Sequence, residues 1–292
     1  MSEFEHGYAE VNGVRLHYAA AGEGPLLLFL HGFPEFWYAW RHQLQHLRDR
    51  FRSVAIDTRG VNLSSRPADV SAYHLDHLAA DPAALIGHFG YDKATVIGHD
   101  WGGITAWWLA IKYPQLLDRL VIVNAAHPGV FERLLRDEPR QQAASAYMQA
   151  FRSDRGEELL SRDDFGAFRR NILEPGRAAG HLGDNDVEAY LAAWRRPGGL
   201  TGGLNYYRAN KRHGPDDADA PPPLAPAETR VAVPTLVIWG EKDPYFVPEN
   251  LDLMAGYVAD LRIERYPDND HWIVHQIPVE VSRLIGAFAA PA

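Results

Sequence analysis

The sequence predicts an α/β fold: a mostly parallel sheet of eight strands with helices on both faces and an inserted helical cap. Three observations carry this expectation. Short, continuous apolar runs recur along the chain, helix-compatible stretches separate several of them, and from about residue 127 to 230 helical patterns continue without a strand run. Runs that are apolar on both faces suit strands covered from both sides, as in a parallel sheet. Alternation with helices supplies the crossovers such a sheet needs.

Taken in order, EVNGVRLHYAAAGEG reads as two short strands around an Asn-Gly turn, a hairpin at one edge of the sheet. PLLLFLHG, residues 25 to 32, is an apolar strand stopped by His-Gly. Further strands fall on SVAID (53–57), ATVIG (94–98), RLVIVNA (119–125), TLVIWG (235–240) and LRIERY (261–266). LDHLAADPAALIGHFG and GGITAWWLAIKYP are helices between them, and DVEAYLAAWRR is a helix of the insertion. The insertion closes with GPDDADAPPPLAPAETR, a Pro-rich return linker. The expected division is a core of residues 1–127 and 230–292 and a helical cap of residues 128–229.

Composition narrows the function classes. A chain of 292 residues that is 46% hydrophobic and has 8 Trp can bury a substantial core. Its net charge of -9 and pI near 5.8 give no reason to expect nucleic acid or an anionic membrane, both of which need clustered cations. The chain has no cysteine, which excludes disulfide and thiolate chemistry. MSEFEHGYAE carries acids and no apolar leader segment, and PLLLFL falls far below the roughly 20 residues of a spanning helix. Cytoplasmic residence is the default expectation, and the chain is compatible with a homodimer. No HExxH or comparable metal-ligand spacing occurs, and no Gly-rich phosphate loop, so no cofactor and no metal are expected.

The chemistry is concentrated in GHDWGG, residues 98 to 103. It has the glycine spacing of a hydrolase nucleophile turn, G-x-S-x-G, with Asp100 in place of serine. Gly98 and Gly102 stand where a side chain would collide with the neighbouring strand or helix. As an isolated residue Asp100 could simply cap the following helix; its partners argue otherwise. Asp243, in WGEKDP, and His271, in DNDHW, lie just past two later strands, in the chain order that an acid and a base must follow after such a nucleophile. HGFPE, residues 31 to 35, sits on the loop after an early strand. Backbone N–H groups of Phe33 there and of Trp101, directly after Asp100, are candidates for an oxyanion hole. Asp270, adjacent to His271, is expected to raise that histidine's pKa through its charge.

HGFPEFWYAWRHQL, GHDWGG, LNYYR, WGEKD and DHW, in that order, resemble the epoxide hydrolases of the α/β-hydrolase fold, from about residue 8 to 288. GHDWGG by itself is shared with haloalkane dehalogenases. The resemblance implies two cap tyrosines that protonate the opening epoxide: Tyr207 in LNYYR and Tyr147 in SAYMQAF, with Tyr206 as the adjacent competitor. It also implies a small apolar epoxide and water as the reactants. The aromatic cluster FWYAW, with Trp37, and Trp107 and Trp108 are expected to line or back the pocket, together with Trp101 and Tyr206.

An aspartate in this position has a chemical reason. A serine attacking saturated carbon would leave an ether that activated water cannot readily cleave, whereas an aspartate leaves a hydrolysable ester. Asp100 therefore suits substitution at a tetrahedral carbon, with His271 activating water and Asp243 orienting the imidazole. An epoxide and a halide are both possible leaving groups. The alkoxide formed by an epoxide calls for a phenol donor of pKa about 10, while a halide calls for N–H donors. Haloalkane dehalogenases commonly carry Asn after His-Gly, and haloacetate dehalogenases an Arg after the nucleophile; this chain has Phe33 and Trp101 there. A non-catalytic binding protein on the same fold is the alternative of another class.

Overall fold

A computed structural model of the chain describes residues 4–211, 224 and 226–290. The strands are β1 (Glu5–Val11), β2 (Val14–Ala21), β3 (Leu26–Leu30), β4 (Arg52–Ile56), β5 (Ala94–His99), β6 (Leu117–Val123), β7 (Thr235–Gly240) and β8 (Leu261–Tyr266). They form one sheet in the order β1-β2-β4-β3-β5-β6-β7-β8. β2 runs antiparallel to both β1 and β4, and every pairing from β4 through β8 is parallel. The hairpin turns at Asn12 and Gly13, both with positive φ, which an Asn-Gly pair adopts at low cost. β2 to β8 lie within two residues of the runs that predict them, whereas β1 begins at Glu5, five residues before the run EVNGV.

Side chains alternate across the sheet, so one apolar strand feeds two cores. Leu27 and Phe29 of β3 pack on one face with Ala55, Ile97 and Val121. Leu26, Leu28 and Leu30 pack on the other with Val54, Val96 and Ile122. Each such side chain contributes about 1.5–3 kcal/mol when fully buried, which is why the central strands read as unbroken apolar runs.

From Pro128 to Ala209 the described residues form helices and turns, including Tyr147–Arg152, Gly156–Phe168, Asp184–Trp194 and Thr201–Ala209. The Pro-rich linker lies largely outside the described residues. The helix Thr201–Ala209 meets the core backbone to backbone: a Cβ on Gly202 would come 2.1 Å from Gly60 O. Among the described residues no helix is long and apolar enough to cross a membrane.

Candidate active site

The sheet order makes β5, β6, β7 and β8 successive neighbours, so residues just past their C-terminal ends gather on one rim. Asp100 follows β5 directly, with φ 51° and ψ -122°, and opens the helix Trp101–Lys112. This sparsely populated conformation is tolerated because glycines clear space around it. A Cβ on Gly98 would lie 2.3 Å from Gly102 O, and one on Gly102 would lie 2.1 Å from Leu30 O.

The turn presents the Asp100 carboxylate to two of the groups predicted for it, Phe33 N–H and His271. Phe33 N–H donates to Oδ1 at 2.8 Å. His271 Nε2 stands 3.7 Å from Oδ2, and His271 Nδ1 stands 2.7 Å from Asp243 Oδ2. Trp101 is the first residue of its helix, so its N–H has no carbonyl one turn back to meet. Asp100, Asp243 and His271 are all buried.

Electrostatics follow from this geometry. Burial alone would lower the His271 pKa, but the Asp243 and Asp100 carboxylates, with Glu35 behind them, outweigh it and raise it to about 9. Asp270 is not the cause expected from its position in the sequence. Its Oδ1 is turned to Trp272 N–H at 2.8 Å and Gln276 Nε2 at 2.8 Å.

Tyr147 and Tyr207 reach the same site from the helices Tyr147–Arg152 and Thr201–Ala209, with ring centroids 6.2 Å apart. Burial first, and then the charge of Asp100 among other groups, pushes both phenols well above their ordinary pKa. Both therefore stay protonated, as a hydrogen donor must. A cavity of about 230 Å³ is lined by Phe33, Asp100, Tyr147, Tyr207 and His271. A tighter one of about 30 Å³ lies against Asp100, Trp101, Tyr147, Tyr207, Met148 and Phe131.

Several aromatic side chains expected at the pocket lie elsewhere. Tyr206 is one residue from Tyr207 but faces the core, where its hydroxyl hydrogen-bonds Thr58 Oγ1 at 2.8 Å and Arg59 O at 2.7 Å. Adjacent helical residues point about 100° apart, so only one of the pair can face the cavity. Trp37 packs against Phe4 and His6 of the N-terminal segment, with centroids at 5.7 and 5.0 Å. Trp107 donates to Ala125 O, whereas Trp108 donates to Asp76 and packs against the cluster that holds Trp101 and Tyr207, so it backs the site without lining the cavity.

Two further polar groups support the site. Asn124, at the end of β6, donates to Asp243 Oδ2 at 2.7 Å and accepts from Gly240 N–H at 2.8 Å, fixing the acid to the sheet. An asparagine just past the apolar residues of the run RLVIVNA was its only mark in the sequence. Glu35 is buried and meets Tyr190 at 2.8 Å, His275 at 2.7 Å and His99 at 3.1 Å. His99 in turn donates to His271 O at 2.9 Å. Burial would raise the Glu35 pKa, but the His275 and His99 partners hold it well below the usual carboxylate range. Among the described residues no group of three or more His, Cys, Asp or Glu side chains is placed to hold a metal ion.

Comparison with known proteins agrees with this architecture. Residues 25–277 match the alpha/beta hydrolase fold family. Epoxide hydrolase 4 of Mus musculus is 37% identical, over 97% of this chain and 79% of its own length. A crystal structure of Bacillus megaterium epoxide hydrolase bound to an inhibitor superposes with a TM-score of 0.91 at 38% identity, covering 97% of this chain and 99% of the other. Epoxide hydrolase VrEH1 of Vigna radiata gives a TM-score of 0.81 at 30% identity, with 98% of each chain covered. With its eight-stranded sheet and the carboxylate turn at the end of β5, the chain belongs to the epoxide hydrolases of the α/β-hydrolase fold family.

Proposed function

We propose that this chain hydrolyses small apolar epoxides to vicinal diols through a covalent ester on Asp100. The observation that carries this is the convergence of one carboxylate and two protonated phenols on a single cavity. Asp100 Oδ2 attacks an oxirane carbon, and the carbon–oxygen bond breaks. The leaving oxygen stays on the substrate and takes a proton from Tyr147 or Tyr207. His271 then takes a proton from water, and the resulting hydroxide adds to the Asp100 carboxyl carbon. The oxyanion that forms on Oδ1 is met by the N–H groups of Phe33 and Trp101. Collapse releases the diol and returns Asp100 with one oxygen from water. The proton held by His271 restores the tyrosine through solvent.

Asp243 orients the imidazole and stabilises its charged form, the part such a group plays in any triad. Residues 128–229 form the cap, which brings the phenols over the core. Water is the second substrate and no cofactor takes part. A cytoplasmic location belongs to the same proposal, and native mass decides between a monomer and a homodimer.

Replacing His271 by Gln should trap the ester. Incubation with an epoxide then adds the full substrate mass to the protein, because the leaving oxygen remains attached. Labelling by haloalkanes alone, with loss of HX, would place the chain among dehalogenases, and no covalent mass from either would leave a binding protein.

A further inference from the structure

We propose that His31 is a positioning residue for the hydrolysis step: its imidazole orients and polarises the peptide that supplies the Phe33 N–H of the oxyanion hole. This presupposes the Asp100 ester. His31 Nδ1 lies 2.7 Å from Gly32 O, and a carbonyl can only accept, so the proton is on Nδ1. Gly32 O and Phe33 N–H are the two ends of one planar peptide unit. The N–H end donates to Asp100 Oδ1 at 2.8 Å. A donor on the carbonyl end draws electron density along the amide and strengthens the N–H end by about 10–30%. Gly32 O also accepts from Glu35 N–H at 3.0 Å, so the two donors together fix the plane in which the Phe33 N–H points.

The other side of the ring sets its state. His31 Nε2 accepts from Thr58 N–H at 3.1 Å and lies 3.1 Å from Thr58 Oγ1. A backbone N–H can only donate, so Nε2 keeps its lone pair and the ring is neutral, with one tautomer dictated from both ends. Burial of His31 also favours the neutral ring. Thr58 Oγ1 in turn hydrogen-bonds Tyr206 at 2.8 Å. The residue next to Tyr207 therefore braces the loop that braces the oxyanion hole, and the close approach of Gly202 to Gly60 leaves that brace little slack.

The two chemical steps respond differently. During alkylation negative charge leaves the Asp100 carboxylate, so a stronger Phe33 donor gives the transition state no help. During hydrolysis charge builds on Oδ1, and that donor stabilises it. Removing one such donor outright costs about 10²–10³ in rate, so weakening one should cost about tenfold.

Rapid-quench mass spectrometry of the intact protein with styrene oxide reads both steps. His31→Leu removes the Nδ1 donor; its ester should decay about tenfold more slowly than wild type while ester formation stays within about twofold. His31→Asn puts an amide N–H near the Nδ1 position and should recover most of the decay rate. His31→Gln puts it near Nε2 and should not, which preserves the contrast if the leucine variant fails to fold. Ester decay at the wild-type rate in His31→Leu, equal slowing of formation and decay, or identical behaviour of the Asn and Gln variants would overturn the proposal. Absence of any adduct in His271→Gln would instead overturn the ester itself, and with it the step that His31 serves.

Discussion

Asp100 Oδ2 lies 3.7 Å from His271 Nε2, on the side of the imidazole opposite Asp243. The nucleophile is thus also one of the charges that keep the base protonated, and esterifying Asp100 removes that charge. The base becomes easier to deprotonate at the stage where it must accept a proton from water.

The first expected outcome concerns that coupling directly. Asp100→Asn removes the charge without removing the bulk, so His271 should titrate below the value of about 9 that it has beside the carboxylate. Histidine NMR resonances followed against pH measure it. An unchanged titration would show that Asp243 alone sets the pKa.

The rate of ester decay should depend on pH with a definite sign. Only neutral His271 can take the proton, so single-turnover decay should fall as pH drops through the histidine pKa of the ester form, which lies below about 9, and level off above it. The ester should accumulate on the acid side. A decay constant that is flat from mildly acidic to alkaline pH would remove His271 as the base.

Stability should show the same linkage. The folded pKa of about 9 lies above the ordinary histidine value of 6.5, so protonated His271 adds stability that is fully present below 6.5 and is lost as pH rises through about 9. The difference in Tm between wild type and His271→Gln should therefore be larger at the lower pH. An equal difference at both ends would mean that the histidine is held by packing alone.

The phenols should act on the other step. Tyr207→Phe and Tyr147→Phe remove proton donors, and general acid catalysis contributes about 10²–10⁴ in rate. Each variant should slow ester formation from an epoxide strongly, leave ester decay nearly unchanged, and affect a halide substrate much less. Tyr206→Phe should not slow formation in this way, because its hydroxyl is committed to Thr58 and Arg59.

Asn124 offers a test away from the reacting atoms. Asn124→Ala leaves Gly240 N–H without its acceptor and Asp243 without one donor, which should destabilise the protein by about 1–3 kcal/mol. Urea denaturation measures the loss. A change within experimental error would mean that water replaces both contacts.

What could be read before folding, and what could not, follows from the range of the forces involved. Strands and the turn at Asp100 were legible because both rest on local requirements: continuous apolar runs for a covered sheet, and Gly98 and Gly102 where backbones nearly touch. The chain order of Asp100, Asp243 and His271 was legible because strand ends gather on one rim. The facing of aromatic residues was not. Tyr206 and Tyr207 are equivalent in composition, and only the docking of the helix Thr201–Ala209 on Thr58 and Gly60 decides which one meets the cavity. Trp37 similarly found its partners in Phe4 and His6, distant in sequence and brought near by the hairpin edge. Glu35 and Asn124 act through long-range hydrogen bonds that no local pattern encodes.

The experiment that bears most heavily on Asp100 as nucleophile is one turnover in heavy-oxygen water, with enzyme in excess over epoxide. The diol from that turnover should contain no solvent oxygen, and the label should appear in the Asp100 carboxyl group when its peptide is weighed. Label found in the diol at the first turnover, with the carboxyl group unlabelled, would mean that water attacks the epoxide directly and that no ester forms.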